Sequence, residues 1–463
     1  MARFQQQQIN RDKFVLSVII LERFVTRFFS EKMGILPGWT SFLDIPLLAV
    51  FFVYVAFITR QQTNDTGKTG FGALGLFLLI DIALSALVNL DRLHPGAFTL
   101  FIIGFLEPLI YMGLAYLLSP KEEVSQFLIK LLIFIGWLQI LVVAVLDVPR
   151  FLVTRNPDFI TGTFGENPYQ LVFFLMTWNV LILSGPAQRG RASFFRGVGI
   201  VIVQIMVLVI ILLAQFRSII FFAVFTWALT YVVISRDTRR ALVNATVGVI
   251  LFIALFAAVN RWLPELKYQD LLELNSRASE VIESGKVQSI LNFQRLVYDQ
   301  PQVLLIGTGP GTYVSRGFET FSIVGGRETA NQLYRQWFGT ELYRTDVADR
   351  YVIPILGRFA FGAGTTATPW FSYLALLAEL GLPGTFIVLV IYGKAIWFCW
   401  QNNKVEGSIA ILARWVFIGL VLLLQMASLG NWLEVSRLTV PLWTVFGIML
   451  AQVYAARDGQ PTP

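Results

Sequence analysis

Residues 198–214 read VGIVIVQIMVLVIILLA, an apolar run without one charged side chain. A helix needs about 20 apolar residues to cross the hydrocarbon core of a bilayer. Comparable runs recur along the chain and predict eleven membrane helices, at residues 42–59, 71–90, 98–118, 127–146, 169–185, 198–214, 218–234, 241–259, 370–397, 408–428 and 436–456. This repetition decides the fold class.

The composition agrees with the pattern, because 56% of the residues are hydrophobic and only 14% are charged, with a mean hydropathy of +0.66. We predict an all-α polytopic membrane protein with 11–12 transmembrane helices and one long, partly helical extracytoplasmic loop. The twelfth candidate, residues 13–33, is apolar but interrupted by Glu22, Arg23, Arg27 and Glu31. It is either a further span or an amphipathic helix in the membrane interface.

These runs divide the chain into four parts. Residues 1–34 form an N-terminal segment, 35–259 an N-terminal transmembrane bundle, 260–369 an extracytoplasmic loop domain, and 370–463 the C-terminal transmembrane helices. The loop domain is the one long polar stretch. Because a bilayer hides backbone polar groups inside helices, chemistry on a polar substrate is expected there.

Basic residues fix the predicted orientation. The short connections on one side of the membrane hold eleven of them and those on the other side three, so the first side is cytoplasmic and the loop domain faces outward. The richer side carries Arg60, Lys68, Lys121, Arg189, Arg191, Arg196, Arg236, Arg239, Arg240, Lys404 and Arg457; the other carries Arg92, Arg150 and Arg155. The net charge of +7 is therefore a matter of topology and predicts no nucleic-acid partner.

The chain has one cysteine, Cys399, and one histidine, His94. An internal disulfide and a two-histidine metal motif are excluded, and a Ser-His-Asp triad would have to use His94, which fits a turn residue better. We expect neither a metal nor a cofactor.

Ionisable residues inside apolar runs need a partner or a function. Asp81, Glu107 and Lys130 are expected to pair with one another or to line a polar seam, and Glu379 to be structural. Arg217 lies in a tight hairpin between two apolar runs. It is either a snorkelling arginine or a fixed cation at the outer surface that binds phosphate.

Two glycine-rich segments lie on the predicted outer side. Residues 162–168 (GTFGENP) precede a span, and Asn167 or Glu166 either caps the following helix or contacts substrate. Residues 307–313 (GTGPGTY) form a loop whose backbone N–H groups suit an anion, although a plain chain reversal explains it as well. The loop has the pattern of neither a nucleotide P-loop nor a Rossmann fingerprint.

The order of these motifs resembles the O-antigen ligase/polymerase family of bacterial envelope glycosyltransferases. The likeness is carried by residues 162–168, QFRS at 215–218, Arg295 ahead of the glycine loop, and SYLALLAELGLPG at 372–384. The resemblance implies a C-type glycosyltransferase-like fold in the inner membrane, with the loop domain facing the periplasm. It also implies metal-independent transfer of a polyprenyl-pyrophosphate-linked glycan, with Arg217 and Arg295 on the pyrophosphate.

Beside the resemblance, the residue types themselves suggest substrate contacts on the predicted outer side. These candidates are Glu166, Asn167, Gly309, Gly311, Tyr313, Trp370 and Glu379. One departure is Trp370, which stands where family members often carry a histidine. The ligase subclass is therefore less favoured than a polymerase, and the general base stays open among Glu166, Glu319, Glu341 and Glu379.

Two other classes of function stay open. A transporter or flippase would use the ionisable residues of the spans as pathway groups, although no pair of broken helices at matching positions of two halves supports it. A silent scaffold for other polysaccharide-assembly proteins is the third class.

Overall fold

The computed structural model describes residues 2–37, 40, 43–59, 70–118, 121–165, 167–184, 194–214, 220–235, 238–262, 284–322, 335–339, 341–355 and 369–457. This part of the chain consists of helices and the turns between them, without a strand. In chain order the helices are α1 Ala2–Arg27, α2 Asp44–Thr59, α3 Phe71–Val88, α4 Pro95–Tyr116, α5 Glu122–Val142, α6 Val148–Thr154, α7 Pro168–Ser184, α8 Phe194–Leu213, α9 Ile220–Ile234, α10 Thr238–Trp262, α11 Gly285–Asp299, α12 Val303–Ile306, α13 Arg316–Ser322, α14 Ser372–Asn402, α15 Ser408–Met426 and α16 Ser436–Arg457. Short π-helical turns occupy Phe28–Lys32, Val143–Asp147 and Ala348–Val352, and 3-10 turns occupy Leu90–Arg92, Pro157–Phe159 and Trp432–Glu434.

Six of the described helices are long and apolar enough to cross a membrane: Phe71–Val88, Pro95–Tyr116, Glu122–Thr154, Ser372–Asn402, Ser408–Met426 and Ser436–Arg457. Five shorter apolar helices, Asp44–Phe57, Pro168–Ser184, Val198–Leu213, Phe222–Ile234 and Leu242–Ala258, coincide with the other predicted runs. The all-α class is confirmed, and by length and composition the chain is a multi-pass membrane protein.

Helix α16 lies at the centre of the bundle, because every side chain from 437 to 453 is buried. It packs along α4 and α15, and α15 in turn packs against α7, α9 and α14. Trp178, Trp415 and Trp443 fill the space between these helices with at most 2% of their surface exposed. A helix that is apolar on all sides is expected to be surrounded in this way.

Helix α1 packs along α2, α5 and α16, so the doubtful N-terminal segment is part of the bundle. Its Arg23 is buried and forms ion pairs with Glu107, with Asp44 at 3.0 Å and with Glu22 at 3.3 Å. Arg23 also donates to the Ser436 hydroxyl at 3.2 Å. Glu107 thus pairs with a residue of α1, and not with the other ionisable residues of the spans. A buried charge without such a partner would be strongly unfavourable.

Helix α14 is broken at Gly381, which has a φ of +73°. The break frees two carbonyl groups of the preceding turn, and a bilayer protein must satisfy them internally. The Ala378 carbonyl accepts from the Thr308 amide at 2.8 Å, and the Glu379 carbonyl accepts from the Gly309 amide at 3.3 Å. The glycine loop therefore replaces the missing helical hydrogen bonds of α14.

The loop residues 284–322 and 341–355 build a second hydrophobic cluster beside the start of α14. Its buried members include Phe293, Leu296, Tyr313, Phe318, Phe321, Tyr343, Tyr351 and Trp370. The cluster rests on the first turn of α4, where His94 Nδ1 caps the helix by accepting from the amides of Gly96 and Ala97 at 3.2 and 3.3 Å. His94 is therefore a turn residue, as the sequence favoured.

Candidate functional site at the loop–bundle interface

Of the two arginines of the predicted pyrophosphate site, the structure describes only Arg295. Arg217 and Glu166 lie outside the described residues. Arg295 is exposed on α11, and its Nη1 is 3.5 Å from the Asn292 side-chain oxygen. Asn292 in turn donates to the Tyr351 carbonyl at 2.8 Å. The pairing of Arg217 with Arg295 therefore stays a prediction.

The glycine loop wraps around the carboxylate of Glu379. One oxygen accepts from the Gly311 amide at 2.5 Å, and the other accepts from the amides of Tyr313 and Ser315, each at 2.9 Å. Glu379 is wholly buried. Both carboxyl oxygens of this buried side chain therefore have backbone hydrogen-bond partners, as buried polar groups require.

The loop amides thus donate to a carboxyl group of the protein itself. Gly311 reaches this position with a φ of +79°, in the region that glycine adopts readily. Tyr313 is wholly buried, and its hydroxyl lies 3.4 Å from the Ser289 carbonyl. The Gly309 amide also donates to the Glu379 carbonyl of α14. Together these contacts hold the loop against α14. Their contact with substrate stays a prediction.

Residues 162–168 fold against the end of α5 and its π-helical turn. Asp147 accepts from the amides of Thr161 and Gly162 at 2.9 and 2.7 Å, and it forms an ion pair with Lys32. Asn167 accepts from the amides of Tyr169 and Gln170 at 3.0 and 3.3 Å, which caps α7. The capping alternative is confirmed for Asn167, and no described contact tests substrate binding there.

The turn that joins α15 to α16 brings a further carboxyl to the glycine loop. Glu434 accepts from the Arg316 amide at 2.8 Å, and Asn431 donates to the Val314 carbonyl at 2.9 Å. Glu434 and Asn431 are only 4% and 9% exposed. Among the described residues, the second carboxyl oxygen of Glu434 and the amide oxygen of Asn431 have no hydrogen-bond partner. Buried polar atoms of this kind are uncommon and point to a ligand, a water or a proton.

Burial raises the pKa of Glu434 well above its usual range, and the charge of Glu379 raises it further. The amide and the guanidinium of Arg316 act in the opposite direction. Glu434 is not among the predicted site residues, because the connection from 428 to 436 reads as an ordinary short turn. The available signals were Glu434 within that turn and Arg437 in the first turn of α16.

A lysine lies where the loop domain meets the start of α14. Lys286 Nζ donates to the Trp370 carbonyl at 2.9 Å, and it lies 5.7 Å from the centre of the Phe371 ring. Burial lowers the pKa of Lys286 to about 7, and the charge of Glu319 opposes that effect. Trp370 itself is 7% exposed and packs on Phe318 with 6.3 Å between the ring centres.

We call Lys286, Arg316, Glu319, Glu379 and Glu434 the interface cluster, because they join the loop domain to α14 and α16. Arg316 and Glu319 are partly exposed, so the cluster opens toward the surface on that side. The cluster offers cations for a phosphate, acceptors for hydroxyl groups, and a lysine whose pKa lies near neutrality. No group of three or more His, Cys, Asp or Glu side chains in the described part of the chain is arranged to hold a metal ion.

Neither a scan against protein-family models nor a search of the curated proteins found a match to this chain. The functional assignment therefore rests on the ordered motifs and on the interface cluster.

Proposed function

We propose that this protein is a membrane glycosyltransferase of the O-antigen polymerase/ligase type. It polymerises or ligates a polyprenyl-pyrophosphate-linked oligosaccharide in O-antigen, capsule or exopolysaccharide assembly, and polymerisation is favoured. It acts in the bacterial inner membrane with its loop domain in the periplasm. The lipid bilayer holds the polyprenyl tail, and the sugars lie under the loop domain.

The interface cluster is the observation that carries this proposal. A charged, partly exposed group of side chains between a polar loop domain and an apolar bundle suits a substrate that is half lipid and half sugar. Three backbone N–H groups of residues 311–315 donate to Glu379, and we call these hydrogen bonds the Glu379 clasp. The clasp holds the loop domain against α14 at that position. Such preorganisation is what electrostatic catalysis requires.

Arg217 and Arg295 are proposed to bind the pyrophosphate. Guanidinium groups bind phosphate in a bidentate manner and stay charged, so they stabilise a leaving pyrophosphate without a metal. Removing one preorganised donor of this type lowers kcat by about 10²- to 10³-fold in known cases. Lysine is expected to substitute poorly, because it offers a point charge instead of a planar fork.

The test uses the purified protein in detergent with a polyprenyl-pyrophosphate oligosaccharide and no ion gradient. Wild-type protein is expected to lengthen or transfer the glycan, and Arg217→Ala and Arg295→Ala are each expected to lose activity by about 10²-fold or more. The matched control is Arg344→Ala, since Arg344 is an exposed loop-domain arginine whose ion pair with Asp349 contributes little to stability. Full activity of both arginine variants, at normal abundance, would contradict the proposed pyrophosphate site.

A further inference from the structure

A groove opens at the surface of the helix bundle, between the first half of α3 and the second half of α4. Its volume is about 430 Å³, and its walls are mainly apolar side chains of these two helices, with Ile391 of α14 and Leu450 of α16. Sites for small molecules usually measure about 300–1,000 Å³ and have apolar walls of this kind. Leu76 of α3 and Ile110 of α4 line the groove and are exposed, so the surrounding lipid has access to it.

The groove exists because α3 and α4 pack against different neighbours. Helix α3 packs along α14, and α4 packs along α16. The end of α3 nearest the loop domain is held by Ser85, whose hydroxyl donates to the Glu379 carbonyl at 2.9 Å. Just beyond that end, Asn89 donates to the Gly307 carbonyl at 3.4 Å. The groove lies toward the other end of α3, where residues between 71 and 79 line it.

Three glycines widen the groove, namely Gly72 and Gly75 on α3 and Gly113 on α4. A Cβ atom at any of these positions would meet nothing within 4 Å. Gly72 and Gly75 are three residues apart, so they share one face of the helix. Larger side chains would therefore enter the groove without displacing the described part of the protein. In their absence the space suits a flexible apolar chain.

A lysine lies at the end of the groove farthest from the loop domain. Lys394 Nζ of α14 is 4.8 Å from the centre of the Phe71 ring, and Phe71 is part of the groove wall. A Cβ atom at Gly70 would lie 2.6 Å from the same Nζ, so the ammonium is beside the start of α3. Trp397, less than one turn further along α14, is exposed. Because exposed tryptophans of a span mark the depth of the lipid headgroups, Lys394 is placed to meet a headgroup phosphate.

A second cation lies at the same end of the bundle, where α4 and α16 end. Tyr116 lines the groove, and its ring centre is 6.4 Å from that of Tyr454. The guanidinium carbon of Arg457 lies 5.9 Å from the centre of the Tyr454 ring. Lys394 and Arg457 thus give this end of the groove a positive charge, which complements an anionic ligand.

The carboxylates that follow α4 in the chain do not line the groove. Glu122 accepts from the Gln126 side chain at 3.1 Å, and Glu123 pairs with Lys13 at 3.7 Å. These contacts give both glutamates partners of their own at the start of α5.

We propose that the groove binds one acyl chain of an anionic phospholipid and that Lys394 pairs with the phosphate of the same lipid. The apolar walls fit the chain, and the ammonium at their end fits the headgroup. This end lies in the leaflet opposite the loop domain, which in the predicted orientation is the cytoplasmic leaflet, where anionic lipids attract lysine and arginine. The site is independent of the proposed glycan transfer.

The polyprenyl carrier is a less suitable occupant. Its pyrophosphate is expected beside the loop domain, and the 18 residues of α3 separate that side from the start of the helix. At 1.5 Å per residue this is about 25 Å. A carrier with its pyrophosphate beside the loop domain would therefore leave Lys394 without a phosphate.

The experiment is native mass spectrometry of the delipidated protein in detergent, titrated with phosphatidylglycerol or phosphatidylethanolamine that carry the same acyl chains. We expect one phosphatidylglycerol to bind more tightly than phosphatidylethanolamine by about fivefold. One lysine near an anionic lipid contributes about 1 kcal/mol, which corresponds to this ratio. Phosphatidylglycerol should also raise the melting temperature, because a ligand of the folded state stabilises it.

Lys394→Gln tests the headgroup contact. We expect this variant to bind both phospholipids with similar affinity, because glutamine has no charge to select the anionic headgroup. Lys404→Gln is the matched control, since it removes one exposed cation from the connection after the same helix and leaves the groove unchanged. It should keep the preference for phosphatidylglycerol.

Gly75→Leu and Gly113→Leu test the chain contact. Leucine should occupy the space of the acyl chain, so both variants should lose most of the bound phosphatidylglycerol. Without lipid they should melt at or above the wild-type temperature, because leucine favours a helix more than glycine does. Gly199→Leu is the matched control, since a Cβ atom there also meets nothing within 4 Å and Gly199 of α8 does not line the groove.

Three results would overturn the proposal. Equal binding of the two phospholipids by wild-type protein would show that Lys394 does not select a headgroup. Displacement of phosphatidylglycerol by an equal concentration of polyprenyl phosphate would assign the groove to the carrier. Dissociation of a wild-type dimer by Gly75→Leu or Gly113→Leu would assign it to a second copy of this chain. Because none of these readouts uses glycan transfer, this proposal and the proposed function fail separately.

Discussion

Glu379 and Glu434 both accept from backbone amides of residues 311–316 and differ in how many of their oxygens have partners. Both are almost fully buried. Glu379 accepts from three backbone amides, Gly311, Tyr313 and Ser315, with both of its oxygens. Glu434 accepts from one amide through one oxygen, and its other oxygen has no partner among the described residues.

Glu379 therefore has a structural role, whereas Glu434 has one oxygen that can still accept a hydrogen bond. An intramolecular hydrogen bond is modest in net free energy, but a buried donor or acceptor left without a partner is expensive. Removing Glu379 would leave three buried donors unsatisfied, whereas an amide in place of the Glu434 carboxyl keeps the one acceptor that the Arg316 amide uses. The two residues should therefore respond oppositely to substitution.

Glu379→Ala should have the largest effect, because each donor left unsatisfied costs about 1–3 kcal/mol. We expect the loop domain to detach from α14 and the protein to lose several kcal/mol of stability, because three donors lose their acceptor at once. Thermal unfolding in detergent and limited proteolysis within the loop would measure it. Glu341→Ala, at an exposed position of the same domain, is the control. Wild-type protease resistance would show that the clasp is not what holds the loop domain.

Gly311→Ala should weaken the same clasp by a smaller amount. Gly311 has a φ of +79°, and a Cβ there would lie 2.7 Å from the Ala97 carbonyl group. The left-handed conformation and the close contact together are expected to cost about 1–3 kcal/mol. Gly113→Ala is the matched control, because a Cβ at Gly113 of α4 meets nothing within 4 Å. If both alanine variants melt at the same temperature, the loop is not held against α4 as described.

Hydropathy was sufficient for the helices, since each apolar run corresponds to a described helix. Local residue types also offered the cap at Asn167 as one of two alternatives. The break at Gly381 was not predicted, because residues 370–397 read as one continuous apolar span. The sequence did not predict the interface cluster. Lys286, Glu319 and Glu434 are far apart in sequence and unremarkable in their local patterns, and only tertiary packing brings them near Trp370 and Glu379. The contact between the glycine loop and the Glu379 carboxyl was not predicted for the same reason.

Glu434→Gln should have the smallest effect, and one that depends on pH. Because burial raises the pKa of Glu434 in the folded protein, the unfolded chain releases this proton first, from about pH 4.3 upward. The unfolded state then binds fewer protons than the folded state, so the carboxyl lowers stability as pH rises toward the raised pKa. Glutamine carries no charge and still accepts from the Arg316 amide. We therefore expect the variant to match wild type within about 1 kcal/mol at pH 4 and to become the more stable protein by neutral pH. Urea unfolding of both proteins across this range measures the difference in their free energies of unfolding. A difference that does not change with pH would contradict the raised pKa of Glu434.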